Sequence, residues 1–186
     1  MNDAAIRLTD DLAYDVEAVR ADFPILSQTV HGKPLVYLDS GASAQKPRAM
    51  IEAMRASFEE CYANVHRGAY DFSERTTAAY EGAREIIRTF LNAKSEREII
   101  FTKNASEAIN LVAYSYGRGL LKAGDTVLIS EMEHHSNIVP WQLLRDATGV
   151  VLKVVPITDD GEFRMDAYAD MLDDSVKLVA VTHVSN

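Results

Sequence analysis

A chain of 186 residues, 47% of them hydrophobic, is long enough to bury one sizeable core and too apolar to be disordered or fibrous. Nineteen Lys plus Arg against 28 Asp plus Glu leave a net charge of -9, and without a basic run this argues against a nucleic-acid surface. The single cysteine, Cys61, excludes an internal disulfide framework and suits a reducing cytosol.

The amino terminus, MNDAAIRLTDD, lacks the basic flank and apolar core of a secretory signal, and no apolar run approaches membrane-spanning length. A cytoplasmic protein with no membrane partner is expected. Asp15 to Asp22 reads as a short amphipathic helix closed by Phe23 and Pro24, and residues 1–33 as an amino-terminal arm. After a turn at HGKP, His31 to Pro34, the apolar run Leu35 to Leu38 predicts a strand that empties into the small-residue loop DSGAS, Asp39 to Ser43.

Pro47 opens a predicted helix whose apolar face is Ile51, Met54, Phe58, Cys61 and Tyr62. The polar stretch from Asn64 reads as a loop carrying His66, Arg67 and Gly68. From Ser73 the pattern is helical, with Ala79, Ala83, Ile86, Ile87 and Phe90 on one stripe. Glu98 to Thr102 predicts a strand. Asn104 followed by Glu107 resembles a capping box for a helix running to about Lys122, with Ile109, Val112, Ala113, Tyr116 and Leu120 facing inward.

Val127 to Ile129 predicts the next strand, and Ser136 starts a helix with Pro140 in its first turn and Gly149 at its end. Strands at Val150 to Ile157 and Lys177 to Val181 flank a turn at Thr158 to Gly161 and a helix at Asp166 to Leu172. This β-α-β-α alternation predicts an α/β fold with a mainly parallel sheet flanked by helices.

Two turns could carry chemistry. The start of the helix after Asn104 exposes the N–H groups of Ala105 and Ser106, which with the Ser106 hydroxyl could hold a phosphate, although most capped helix starts bind nothing. His134 and His135 lie between a strand and a helix, where a ring could stack on a planar ligand or exchange protons; solvated surface histidines give the same spacing. Adjacent histidines, with no HExxH pattern and no cysteine cluster, argue against a metal site. His66, Arg67 and Asn186 are polar residues of loops or strand ends. Asp39 suits a turn former, and Tyr114, Tyr116 and Trp141 suit core or interface positions.

The segments LDSGASAQKP (38–47), NVHRG (64–68), SEAINLVA (106–113), EMEHHSNIVPWQ (131–142) and THVSN (182–186) closely resemble, in order and spacing, the amino-terminal half of SufS-type cysteine desulfurases. These are fold-type I pyridoxal phosphate enzymes related to class V aminotransferases. The resemblance implies that residues 34–186 form the first half of a PLP-binding large domain, ending at Asn186. It implies that Ala105 and Ser106 bind the cofactor phosphate, and that His134 stacks on the pyridine ring and takes part in proton transfer. Asn186 would sit by the ring hydroxyl and the substrate, Gly41 and Ala42 near the substrate carboxylate, and His66 with Arg67 at the active-site mouth near a dimer interface.

By the same resemblance the reaction is L-cysteine to L-alanine with persulfide transfer to a SufE-like or SufU-like acceptor for iron–sulfur cluster assembly, with selenocysteine as a second substrate, by a homodimer when complete. The Schiff-base lysine, the aspartate facing the pyridine nitrogen and the nucleophilic cysteine belong to the part of the family's chain beyond residue 186, so this chain alone is expected to be inactive. Cys61 matches no family nucleophile. Two departures stand out: Asn104-Ala105-Ser106-Glu107 replaces a frequent Gly-Thr-Thr-Glu and keeps one hydroxyl of two, and Gly41 replaces a frequent alanine. Another class V aminotransferase-like enzyme, or a non-enzymatic fragment that binds PLP or phosphate, are the alternatives.

Overall fold

The structure, a computed structural model, describes residues 14–185. The chain divides into two compact units, with the break between Ile99 and Ile100.

In the first unit, helix α1 (Val16–Ala21) starts where the Asp15 side chain accepts the N–H of Ala18 at 3.0 Å. A hairpin of β1 (Thr29–Val30) and β2 (Lys33–Pro34) follows. His31 and Gly32 join its strands with φ of 52° and 74°, the pair of positive values that a two-residue primed turn requires.

The strand expected at Leu35 to Leu38 does not form. The segment keeps the in-and-out alternation of a strand, with Leu35 and Tyr37 half-buried and Val36 and Leu38 exposed, but beyond the Leu35 N–H donating to the Gln28 carbonyl at 3.0 Å it joins no sheet among the described residues. The same correction applies at Glu98 to Thr102, where a 3-10 turn (Glu96–Glu98) leads into a stretch that belongs to neither sheet of the described residues, with Ile99 buried and Ile100 exposed. Periodicity encodes which way side chains point; a strand needs a partner ladder as well.

Helix α2 (Arg48–Glu60) begins directly after Pro47, but its expected apolar face is open: Phe58 is 62% exposed and Tyr62 69%. Helix α3 (Asp71–Phe90) differs more instructively. Its stripe through Ile86 and Phe90 faces solvent, and its inward side is polar. The Ser73 hydroxyl donates to the Asn64 carbonyl (2.6 Å) and accepts from the Gly68 N–H (3.0 Å). Thr76 donates to the Cys61 carbonyl, Thr77 accepts from the His66 N–H at 3.0 Å, and the Arg84 guanidinium donates to the Ile99 carbonyl. Loop backbone groups at 61–68 need partners, and hydroxyls one helical turn apart supply them.

The second unit is a three-stranded parallel sheet in the order β4 (Val151–Val155), β3 (Thr126–Ser130), β5 (Val176–Ala180), as the alternation predicts. Every residue of central β3 is buried. Helix α6 (Val139–Thr148) ends on Gly149 in the left-handed region (φ 76°), and α7 (Met165–Met171) precedes β5. The core is Ala113, Leu121, Val127, Ile129, Trp141, Leu144 and Val150; each fully buried aliphatic side chain contributes about 1.5–3 kcal/mol.

Helix α4 (Ala105–Val112) passes into a π-helical stretch (Ala113–Gly117) and a last short turn, α5 (Arg118–Leu120). The wider π turn corrects the expected face. Residues four apart stay in line, so Ile109, Ala113, Gly117 and Leu121 turn toward the core, while Val112, Tyr116 and Leu120 do not. A Cβ at Gly117 would lie 2.7 Å from Leu144 Cδ2, and Leu144 is too buried to swing away. Gly117→Ala is therefore expected to cost about 1 kcal/mol net, overpacking of about 1–3 kcal/mol outweighing a helix-propensity gain of about 1. Urea unfolding should show this loss shrinking or reversing in a Leu144→Ala background.

Candidate functional site

The amino terminus of α4 is built as its sequence suggests. Asn104, extended at φ -167° and ψ 174°, accepts the Glu107 N–H through its side chain at 2.9 Å, and Glu107 reaches back to the Lys103 N–H at 2.6 Å. That uses the N–H of Glu107 and leaves those of Ala105 and Ser106 without a helical acceptor, on the exposed side of the turn. Two aligned donors, the Ser106 hydroxyl and the positive end of the helix make a site suited to a phosphate.

α4 packs beside the 3-10 turn His135–Asn137, just past the carboxyl end of β3. His134 opens that turn. Its Nδ1 accepts the backbone N–H of Ser136 at 3.2 Å and lies 2.9 Å from the Ser136 hydroxyl. Accepting an N–H at Nδ1 puts the neutral ring's proton on Nε2. The ring is exposed, with His135 edge-on at 5.9 Å between centroids. The structure thus brings the helix of Ala105 and Ser106 beside the turn of His134; Asn186 lies outside the described residues.

Gly41, Ala42, His66 and Arg67 belong to the first unit. The loop at Gly41 and Ala42 is an exposed turn in which the N–H groups of Ala42 and Ser43 share the Asp39 carbonyl, and the Tyr37 hydroxyl donates to the Ser43 carbonyl at 2.6 Å. Among the described residues nothing lies within 4 Å of a Cβ built on Gly41, so the Gly-for-Ala departure meets no steric bar there. His66 is held at φ 63° with its Nε2 2.9 Å from Glu81, and Arg67 beside it is exposed. Cys61 closes α2, half-buried. Among the described residues no group of three or more His, Cys, Asp or Glu is placed to hold a metal, and no helix is long and apolar enough to cross a membrane.

Sequence reading missed a buried polar cluster behind the histidine turn. Glu133, only 9% exposed, accepts from the Ser130 hydroxyl and the Thr182 N–H (2.8 Å) on one oxygen and from Asn137 Nδ2 (2.8 Å) on the other. Asn137 Nδ2 also donates to the Ala180 carbonyl at 3.1 Å, and its oxygen accepts Trp141 Nε1–H at 2.9 Å. The signal was the spacing of Glu133, Asn137 and Trp141, four apart at the start of a helix that must cover an apolar strand.

A helix start with open donors beside a histidine turn, at the carboxyl edge of a parallel sheet, is where open α/β folds bind ligands. Residues 36–186 match the family described as aminotransferase class-V, and the chain belongs to that family. It is 54% identical over 173 residues to a cysteine desulfurase of Dickeya dadantii, covering 93% of this chain and 42% of that one. It is 52% identical over 168 residues to a probable cysteine desulfurase of Synechocystis, covering 90% and 40%. The apo cysteine desulfurase of Thermococcus onnurineus superposes with a TM-score of 0.81 at 37% identity, over 92% of this chain and 40% of that one. An Escherichia coli cysteine desulfurase superposes at 0.73 and 33% identity, over 90% and 41%. The chain thus spans about two fifths of the length of these relatives.

Proposed function

We propose that the chain is the amino-terminal part of a cytoplasmic, SufS-like cysteine desulfurase that depends on pyridoxal 5′-phosphate and acts as a homodimer. It would convert L-cysteine to L-alanine and pass the persulfide to a SufE-like or SufU-like acceptor for iron–sulfur cluster assembly. Residues 1–33 would be an arm and 34–186 the first half of the cofactor domain. The observation that carries this reading is the donor pair at Ala105 and Ser106 beside the turn of His134, in a chain half identical to named cysteine desulfurases.

In this reading the N–H groups of Ala105 and Ser106 and the Ser106 hydroxyl bind the phosphate. When bound, the cofactor supplies an electron sink for the substrate's α-carbon. His134 stacks on its ring, with Nδ1 tied down by Ser136 and Nε2 left to hold or move a proton. By the family resemblance Asn186 would lie by the ring hydroxyl, Gly41 and Ala42 would lie near the substrate carboxylate, and His66 and Arg67 would lie at the mouth near the second protomer.

The 186-residue chain alone is expected to release no alanine from L-cysteine, whereas the whole protein that contains it should release alanine in step with acceptor persulfide. A whole protein that takes up the cofactor yet turns over a different amino acid and not cysteine would overturn the desulfurase reading and leave the family membership standing.

A further inference from the structure

The strap of hydrogen bonds around Glu133 has no part in the binding roles above, and it joins two loops. One leaves β3 and carries His134; the other leaves β5 and begins at Thr182. Three donors converge on the Glu133 carboxylate, from Ser130, Asn137 and Thr182, and the Ser185 hydroxyl adds a second tie between the loops by donating to the Met132 carbonyl at 2.8 Å.

We propose that Glu133 is a positioning residue whose carboxylate locks the His134 turn to the loop after β5, so that the two loops hold one geometry and move as one. That this geometry serves a bound cofactor ring rests on the function proposed above; the lock itself does not. A neutral amide cannot replace the carboxylate. Asn137 is fixed in orientation, its NH2 shared between Glu133 and the Ala180 carbonyl and its oxygen taken by Trp141. In Glu133→Gln the new NH2 would face either the Asn137 NH2 or the Thr182 N–H, and one strand of the strap must open whichever way the amide turns.

The test is NMR of the 186-residue chain, held dilute enough to stay dispersed, reading backbone and indole hydrogen exchange together with the ring nitrogens of His134. Trp141 is the chain's one tryptophan, so its indole N–H is a single signal. In Glu133→Gln the Thr182 amide or the Trp141 indole should exchange about tenfold faster or more, as expected for a buried hydrogen bond lost. The His134 ring signals should shift in the same variant. Val150→Ala, just before β4, should lower the melting temperature and leave the His134 ring signals in place. If exchange accelerates while the His134 ring signals stay as in wild type, the strap is structural only and the proposal fails.

Should Glu133→Gln not fold, the wild-type chain still decides. A strap that opens in one event gives the Thr182 amide and Trp141 indole corrected exchange rates within about threefold of one another, and rates more than about tenfold apart would overturn it. Titration with pyridoxal phosphate separates the two readings. Coupled loops in a chain that takes up no cofactor would keep the lock and remove its assigned purpose.

Discussion

Ala105→Pro is expected to weaken pyridoxal phosphate binding by about 10- to 100-fold while leaving α4 folded. The expectation follows from position. Proline is at home in the first turn of a helix, where its missing N–H has no helical acceptor to lose. The residue before a proline is driven to extended geometry, and Asn104 already has φ -167° and ψ 174°. The substitution therefore removes one open donor and spares the cap, in which Asn104 accepts from Glu107. One hydrogen bond to a charged group is worth about 1.5–3 kcal/mol, the source of the fold-change. Pyridoxal without its phosphate should bind the variant and wild type alike. Calorimetry with both ligands is the measurement, and an unchanged affinity for the phosphorylated one would remove Ala105 from the site.

The halves of the chain were not equally legible. In the second unit strands and helices alternate along the chain and the strands pair with one another, so local pattern and final contact agree: β3, β4 and β5, the Gly149 stop and the Asn104 cap lie where composition and spacing predict. The inward face of the helix after Asn104 was misread at Val112, Tyr116 and Leu120, because a π turn holds residues four apart in line and no propensity scale announces it.

In the first unit the pattern outruns the contacts. Leu35 to Leu38 alternates as a strand without a ladder, and the apolar stripes of α2 and α3 stay open, with Leu38 92% and Phe90 86% exposed. Exposed apolar surface of this kind predicts a poorly soluble 186-residue chain, checked by light scattering at rising concentration. The site was legible as residue types at turns, Asn104 to Glu107 and His134 to Asn137. The residue types did not disclose the buried Glu133: Ser130 and Asn137 lie near it in sequence, but Thr182 reaches it only after β3 and β5 pair.

The loop at His66 depends on a glycine in the same way. A Cβ at Gly68 would lie 2.6 Å from Ser73 Cβ, 2.7 Å from Ser73 Oγ and 2.5 Å from Tyr70 Cε1. Ser73 cannot retreat: it is 1% exposed and its hydroxyl bridges the Gly68 N–H to the Asn64 carbonyl. Gly68→Ala should destabilise the chain by about 2–4 kcal/mol, overpacking of about 1–3 joined by a hydrogen bond worth about 1. It should also free the turn that holds His66 against Glu81. Gly82→Ala runs the opposite way: Gly82 is exposed inside α3 with nothing within 4 Å of its added Cβ, so the variant should gain about 0.5–1 kcal/mol. Urea midpoints of the two variants moving in opposite directions would confirm that Gly68 is there for close approach. A neutral Gly68→Ala would mean that α3 and the 64–68 loop separate at no cost, and the loop would then lose its claim to hold His66 and Arg67 in a fixed place.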